Sequence, residues 1–149
     1  LQNYEIAIAT LCLAFASLAF YKYHKFPSRI FPGDSGALTF GATYGVIAIV
    51  GHVEVIAAIA ILPAIINSFL FLSSVKKITE HREIKNPVSH TDDFKLKTGD
   101  YKNAPITLVR LIIAKRPLSE KQIVTEIFRL GIFSGVLAII TAFLMGVEV

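Results

Sequence analysis

The stretch FPSRIFPGDSGALTFGA, residues 26–42, contains the first group of side chains that could do chemistry. Asp34 is its single carboxylate, and it follows Pro32 and Gly33, a pair that interrupts helices. Asp34 or Ser35 could cap a helix that begins here by accepting its unpaired N–H groups. If the apolar run that follows is in a membrane, Asp34 could instead bind a divalent metal ion or transfer a proton. The residue types alone leave both interpretations open.

A second group lies in KKITEHREIKNP, residues 76–87. The guanidinium of Arg82 could bind phosphate oxygens in a bidentate fork, and the imidazole of His81 could donate to a phosphate or a hydroxyl. The alternative is a cluster of basic side chains that reach from a helix end to the membrane surface, a description that suits Lys76 and Lys77 best.

The elements that position these residues are long apolar segments. The chain is 54% hydrophobic and its mean hydropathy is +0.61, which excludes an ordinary soluble domain. A helix needs about 20 apolar residues to cross a hydrocarbon core. The apolar runs are continuous rather than alternating, which favours helices over a membrane barrel. We therefore expect an all-α, polytopic membrane protein with four transmembrane helices, at about 3–21, 35–52, 54–75 and 124–147.

The basic residues predict the orientation of these helices. Connection 22–34 has three Lys or Arg residues, and connection 76–121 has eleven against six acidic residues. The opposite side has only the GHVE segment, 51–54, and the chain ends. The positive-inside rule makes both basic connections cytoplasmic, with His24 and His52 at opposite membrane surfaces. The pI of 9.3 thus reports topology and does not indicate nucleic-acid binding.

The long basic cytoplasmic loop, 76–121, precedes the last helix. Its Pro, Gly and mixed charge predict a lid or a short hairpin around KTGD. A helix lying in the membrane interface is expected at about 104–116, a segment that is apolar but too short to span. His90, Asp92 and Asp93 have the types of metal ligands, although a solvated turn is the favoured interpretation. The lone Cys12 excludes a disulfide framework and a CxxC metal site.

Several ordered features resemble a known family. They are PSR followed by an aromatic-x-Gly-Asp turn, a Gly/Ala-rich span that ends in GH, the helix LPAIINSFLFLSSV, and HRE at the start of a basic loop. In this order they resemble the polyprenyl-phosphate N-acetylhexosamine-1-phosphate transferases, glycosyltransferase family 4. The nearest branch transfers GlcNAc-1-phosphate from UDP-GlcNAc to dolichyl phosphate, the first step of lipid-linked oligosaccharide assembly.

The resemblance implies that a lipid phosphate attacks the β-phosphorus of UDP-GlcNAc and that UMP leaves. It implies Mg²⁺, or Mn²⁺ in its place, with Asp34 as the metal-binding and catalytic carboxylate. Phe31 matches the aromatic residue that stacks on uracil; without the family it would be an interfacial anchor. The His81-Arg82 pair matches the residues that hold the sugar and the pyrophosphate, and Arg29 orients either the turn or the phosphate.

The chain departs from the family in two respects. Glu80 stands where the dolichol branch often has Arg, which leaves the phosphate contacts to Arg29, Lys85 or residues outside this chain. The family's paired aspartates, and an Asn upstream of the aspartate turn, have no counterpart here. Family members also have about twice as many spans. We therefore expect this chain to be the C-terminal half of such an enzyme and to lack turnover alone.

The expected partners are UDP-GlcNAc, a polyprenyl or dolichyl phosphate and the lipid bilayer, with a homodimer left open. The expected location is the cell membrane, or the endoplasmic reticulum membrane in a eukaryote, with the active face cytoplasmic. One alternative is an inactive membrane module that binds a lipid phosphate or a nucleotide. Another is a small transporter or scaffold in which Pro63 and Asn67 form a helix break at a substrate site.

Overall fold

The computed structural model describes residues 2–75, 88–90, 95–99 and 104–146, which are mostly helical. The chain divides into two compact units, Leu1–Ala57 and Ala58–Val149. The elements in chain order are α1 (Gln2–His24), α2 (Gly33–Val50), α3 (Glu54–Ala60), α4 (Leu62–Val75), β1 (Val88–His90), β2 (Leu96–Thr98), α5 (Leu108–Ile112) and α6 (Glu120–Leu144).

In the first unit, α1 and α2 form an antiparallel pair. The rings of Phe20, near the end of α1, and Phe40, in the first half of α2, have centroids 6.2 Å apart. At the other end, a Cβ atom on Gly51 would lie 3.2 Å from Cγ2 of Ile6. α1 and α2 therefore approach each other both near the turn that joins them and at their far ends.

Two helices of the described residues are long and apolar enough to cross a membrane, Tyr4–His24 in α1 and Glu120–Leu144 in α6. The predicted first and last spans are thus present as candidate spans. A helix also occupies most of the predicted 35–52 span, but α2 is not among the two, and its first turn contains Asp34. Four spans therefore stay a prediction.

The predicted span 54–75 is divided into two helices. α3 and α4 are bent by 74° at the break between them, and they make a third candidate span only if they are counted together. Pro63 stands at the second residue of α4. Proline has no N–H to donate to the preceding turn, and its ring clashes with the carbonyl four residues earlier. A straight helix through this position is therefore disfavoured.

In the second unit, β1 and β2 pair antiparallel with Val88 opposite Thr98. The backbone of Leu96 also exchanges two hydrogen bonds with Leu118, of 2.9 and 3.1 Å. The predicted hairpin is present, but its turn is not at KTGD, because Lys97 and Thr98 lie within β2. Leu118 belongs to the buried cluster of this unit, which consists of Ile113, Leu118 and Ile123 with Val88, Leu96, Val109, Ile112 and Ile127 packed around it.

The interfacial helix expected at about 104–116 is represented by the five residues of α5. It begins late because Thr107 is its N-cap, with an extended backbone and a side chain that accepts a hydrogen bond of 3.2 Å from the N–H of Arg110. α6 begins with a capping box, in which Ser119 Oγ accepts from the N–H of Gln122 and the Gln122 side chain accepts from the N–H of Ser119.

Candidate functional site: the turn between α1 and α2

The imidazole of His24 organises the turn that follows α1. Its ring stacks on Phe20, one helical turn earlier, with centroids 5.3 Å apart and planes inclined by 28°. The ring of Phe31 contacts the same imidazole edge to face, with centroids 5.8 Å apart. Phe31 therefore has a fixed support on one side, although 76% of its surface is exposed.

Hydrogen bonds hold the backbone of the turn to the end of α1. Nδ1 of His24 lies 3.0 Å from the carbonyl oxygen of Ile30, which can only accept, so this nitrogen carries the hydrogen. The hydroxyl of Ser28 donates to the same oxygen at 3.1 Å, and the N–H of Arg29 donates to the carbonyl of Tyr23 at 3.0 Å. Residues 28–31 thus have a defined conformation rather than that of an open loop.

The start of α2 is shaped by Pro32 and two glycines. Pro32 has helical backbone angles, φ −68° and ψ −22°, and its carbonyl accepts a hydrogen bond of 3.2 Å from Gly36. Gly33 has φ +62°, a left-handed conformation that other residues adopt at a cost. A Cβ atom at Gly36 would lie 2.9 Å from Cβ of Pro32, so the turn closes on a position that only glycine fits.

The prediction that Asp34 or Ser35 caps α2 is wrong. Pro32 occupies the N-cap position and no side chain makes a cap hydrogen bond, so Asp34 lies two residues after the N-cap, inside the first helical turn. The physical reason is that proline, with its fixed φ, is suited to the beginning of a helix and starts it two residues early. The carboxylate of Asp34 is exposed and does not cap the helix.

The turn presents three exposed side chains of different chemistry: the ring of Phe31, the carboxylate of Asp34 and the guanidinium of Arg29. Among the described residues, neither Asp34 nor Arg29 takes part in an ion pair. An aromatic face can stack on a planar base, a carboxylate oxygen can bind a hard cation, and a guanidinium can bind phosphate. The arrangement therefore has the parts of a site for a phosphorylated, base-containing ligand.

This turn supplies only part of the ligand set that a divalent cation needs. Within the described residues no group of three or more His, Cys, Asp or Glu side chains comes together as a metal site. Mg²⁺ is commonly held by one or two carboxylates together with substrate phosphates and waters, so a single exposed carboxylate such as Asp34 suits it as one protein ligand. The remaining oxygens would come from the ligand or from other residues.

The second predicted group, His81 and Arg82, lies outside the described residues, as do Glu80 and Lys85. The structure thus brings Arg29, Phe31 and Asp34 into one turn and does not describe where the His81-Arg82 pair stands relative to them. Asp92 and Asp93 are also outside the described residues, and of His90 only the backbone is described, in β1.

Sequence reasoning missed the role of His24, which it placed simply at a membrane surface. The signal was available in the spacing, because Phe20 and His24 are four residues apart on one helix face and Ser28 follows four residues later. Without the fold, however, nothing indicated that the ring of Phe31 turns back onto this imidazole.

In the second unit, the side chains of Asn67 and Ser74 accept hydrogen bonds from the backbone at the start of α5. The side-chain oxygen of Asn67 accepts a hydrogen bond of 2.8 Å from the N–H of Leu108, and Ser74 Oγ accepts one of 2.9 Å from the N–H of Ile106. These bonds satisfy backbone donors at the start of α5, where a helix has no partners of its own. Asn67, considered above for a helix break at a substrate site, thus contacts another element of its own unit.

Comparison with known proteins decides the family. The family model of glycosyl transferase family 4 matches residues 1–52, the stretch that contains the whole α1–α2 turn. A protein of Methanocaldococcus jannaschii with the provisional name of glycosyltransferase is 32% identical over 143 residues, which cover 94% of this chain and 45% of that protein. The chain belongs to glycosyl transferase family 4.

Other relatives in glycosyl transferase family 4 have more specific names. The phospho-N-acetylmuramoyl-pentapeptide-transferase of Clostridium beijerinckii is 43% identical over 53 residues, 36% of this chain and 16% of that enzyme. A Saccharolobus solfataricus protein, provisionally named UDP-N-acetylglucosamine–dolichyl-phosphate N-acetylglucosaminephosphotransferase, is 33% identical over 70 residues, 47% of this chain and 22% of that protein. The chain spans less than half the length of these curated relatives.

No solved structure matches the chain. Membership of glycosyl transferase family 4, together with the two long apolar helices α1 and α6, identifies the chain as part of an integral membrane protein.

Proposed function

We propose that this chain forms part of an enzyme that transfers N-acetylglucosamine-1-phosphate from UDP-GlcNAc to a polyprenyl phosphate of the dolichyl type. An oxygen of the lipid phosphate attacks the β-phosphorus of the sugar nucleotide, and the bond from that phosphorus to the UMP oxygen breaks. The products are the lipid pyrophosphate-linked sugar and UMP. Membership of glycosyl transferase family 4 and the name of the Saccharolobus relative support this reaction.

The observation that carries the proposal is the turn of Phe31 and Asp34, exposed yet held in a fixed conformation by His24 and Ser28. It lies inside the stretch that the family model matches. Asp34 is the residue that would hold Mg²⁺, which supplies charge stabilisation to the pyrophosphate oxygens as the bond breaks. The site needs an anionic side chain for this purpose, and α2 presents Asp34 at its exposed first turn.

The other predicted residues have complementary tasks in this proposal. Phe31 would stack on the uracil, because its ring is largely exposed while the contact with His24 supports it. Arg29 stands three residues from Pro32 in the same turn and is positioned to bind a phosphate oxygen or to orient the turn. His81 and Arg82 would hold the sugar and the pyrophosphate. The turn alone supplies one carboxylate, so the full enzyme needs further residues.

The test uses the full-length protein that contains this chain, expressed in membranes. With polyprenyl phosphate and Mg²⁺ present, the measurement is release of UMP from UDP-GlcNAc, compared with UDP-N-acetylmuramoyl-pentapeptide as donor. The second donor is included because the Clostridium relatives carry the name of that transferase. Release from UDP-GlcNAc that requires the lipid phosphate supports the proposal.

Release from the pentapeptide donor alone would move the chain to that branch of the family. No release from either donor would contradict the transferase and favour the alternative of an inactive module that binds a lipid phosphate or a nucleotide. Binding of UDP-GlcNAc without turnover would then be the observation that identifies such a module.

A further inference from the structure

A second candidate site lies in the second unit. An open groove of about 610 Å³ lies between the end of α5 and the first three turns of α6. Lys115, Arg116 and Lys121 line it together with the apolar side chains of Ile112, Leu118 and Leu130. Nothing in the proposed transfer reaction uses this groove.

The groove carries an excess of positive charge. Its lining has four basic residues and one acidic residue, Glu126. The carboxylate of Glu126 is already paired with Arg129 at 2.7 Å. Lys115, Arg116 and Lys121 are exposed and have no ion pair with any residue that the structure describes. Three cations are thus available to an anionic ligand.

The backbone that carries Lys115, Arg116 and Lys121 is supported by buried apolar side chains. Ile113, Leu118 and Ile123 are the buried members of the cluster in this unit, and the three exposed cations lie between them along the chain. The capping box of Ser119 and Gln122 fixes the first turn of α6 between them. The basic side chains therefore project from a packed support, which lowers the entropy lost on binding.

The groove lies at the end of α6 that extends beyond the thickness of a hydrocarbon core. α6 has 25 residues, about 37 Å at 1.5 Å per residue, whereas a hydrocarbon core is about 30 Å thick. Its first turns therefore belong in the headgroup layer. Lys121 lies at the outer end of the groove and Leu130 at the inner end, about 13 Å further along the helix.

We propose that this groove binds an anionic membrane phospholipid. Lys115, Arg116 and Lys121 hold the headgroup phosphate, and the acyl chain lies against Ile112, Leu118 and Leu130. Basic side chains near the membrane surface attract anionic lipids, and an apolar floor beneath them distinguishes a lipid from a soluble anion. The proposal does not depend on the transfer reaction.

The test measures lipids bound to the whole protein that contains this chain, purified from membranes, by native mass spectrometry with added phosphatidylglycerol or phosphatidylcholine. Lys115→Gln with Lys121→Gln should weaken phosphatidylglycerol binding on the order of thirtyfold, because each lysine near an anionic surface contributes about fivefold. The matched control is Lys22→Gln with Lys25→Gln, which removes two exposed lysines near the end of α1 and should leave the binding intact.

A second variant blocks the groove without changing its charge. Thr125 lies on its wall and is exposed, so Thr125→Trp should fill the space and also abolish retention of the lipid. Folding of each variant is checked by its thermal unfolding temperature in the presence of phosphatidylcholine alone.

Three results would overturn the proposal. Equal loss in both lysine pairs would indicate diffuse attraction to a basic surface, and unchanged binding in Thr125→Trp would place the lipid elsewhere. Displacement of phosphatidylglycerol by inorganic phosphate, or by polyprenyl phosphate at lower concentration, would identify a simple anion site or a site for the carrier lipid.

Discussion

At the scale of single residues, His24 joins α1 to the turn through two kinds of contact. Its ring supports Phe31, and its Nδ1 donates to Ile30. His24→Phe keeps the aromatic contact and loses the hydrogen bond, which is worth about 1 kcal/mol, whereas His24→Ala loses both. We expect the KM for UDP-GlcNAc to rise about fivefold in His24→Phe and further in His24→Ala, with a smaller change in kcat.

The measurement is steady-state kinetics of the full-length protein over a range of UDP-GlcNAc concentrations. A KM that is equal in wild type and both variants would show that Phe31 does not need this support. A fall in kcat without any change in KM would point instead to a direct part of His24 in the transfer.

Gly36 offers a test of the tight start of α2. In Gly36→Ala the new Cβ would meet Cβ of Pro32 at 2.9 Å, so the turn that carries Asp34 must shift. We expect UMP release to fall at least tenfold, because small displacements of a positioned group are costly in catalysis. Gly41→Ala is the matched control, since a Cβ there has no neighbour within 4 Å and alanine favours the helix.

Thermal unfolding separates an effect on the site from an effect on stability. Gly41→Ala should keep activity and raise the unfolding temperature slightly. If Gly36→Ala were as active as Gly41→Ala, the close approach of Pro32 would have no bearing on function.

Some features of the turn between α1 and α2 could be predicted from the sequence and others could not. The turn, its exposed aromatic ring and its carboxylate were predictable, because Pro and Gly interrupt helices and the aromatic-x-Gly-Asp order is informative. The exact first residue of α2 was not. Asp and Ser are good N-caps in any context, and only the backbone angles of Pro32 decide that the helix begins before them.

At the scale of elements, side chains of α4 hold α5 in place. α5 has five residues, and backbone N–H groups at its start donate to Asn67 and Ser74 of α4. Ser74 Oγ accepts from the N–H of Ile106 and donates to the carbonyl of Phe71, whereas Ser73 Oγ donates to Leu70 of its own helix. Ser74→Ala leaves the Ile106 N–H without its acceptor, at a cost of about 1–3 kcal/mol if the group stays away from water. Ser73→Ala is the matched control.

Hydrogen–deuterium exchange of the peptide that contains Ile106 measures this attachment. We expect exchange to be roughly tenfold faster in Ser74→Ala than in wild type and unchanged in Ser73→Ala. Equal exchange in the two serine variants would show that α5 is held by its apolar contacts alone.

The elements were predictable to different degrees. α1 and α6 are long and mostly apolar, with the charged residues near the ends of α1 and in the first ten residues of α6, and these signals act locally. The break before Pro63 was harder to predict, because proline is tolerated in membrane helices and the apolar run continues on both sides. The hairpin turn was misplaced because KTGD has the composition of a turn, whereas Lys97 and Thr98 pair with Ser89 and Val88 in β1 and so belong to a strand.

At the scale of the whole molecule, membrane topology is the main prediction. α2 has 18 residues, about 27 Å of helix, which is just enough to cross a hydrocarbon core if Asp34 stays at its surface. In a Cys12→Ser background, Lys25→Cys and His52→Cys should react with a membrane-impermeant thiol reagent from opposite sides. The reagent is added to right-side-out and inverted vesicles.

Labelling of both cysteines from one side would show that α2 does not span the membrane. The orientation inferred from the basic connections would then also be wrong. The family itself was predictable at this scale, since its motifs are ordered along the chain. His81 and Arg82 lie outside the described residues, so their part in the site stays a prediction.

The central claim, that Asp34 is the carboxylate that binds the metal ion, is tested most directly by titrating Mg²⁺ in full-length wild type, Asp34→Asn and Glu54→Gln. Glu54 is the matched control, an exposed carboxylate in the first turn of α3. We expect Asp34→Asn to lower Mg²⁺-dependent UMP release roughly hundredfold or more, since a metal ion supplies several kcal/mol of charge stabilisation, while Glu54→Gln keeps the wild-type curve. Undiminished release from Asp34→Asn, with the same Mg²⁺ dependence as wild type, would contradict it.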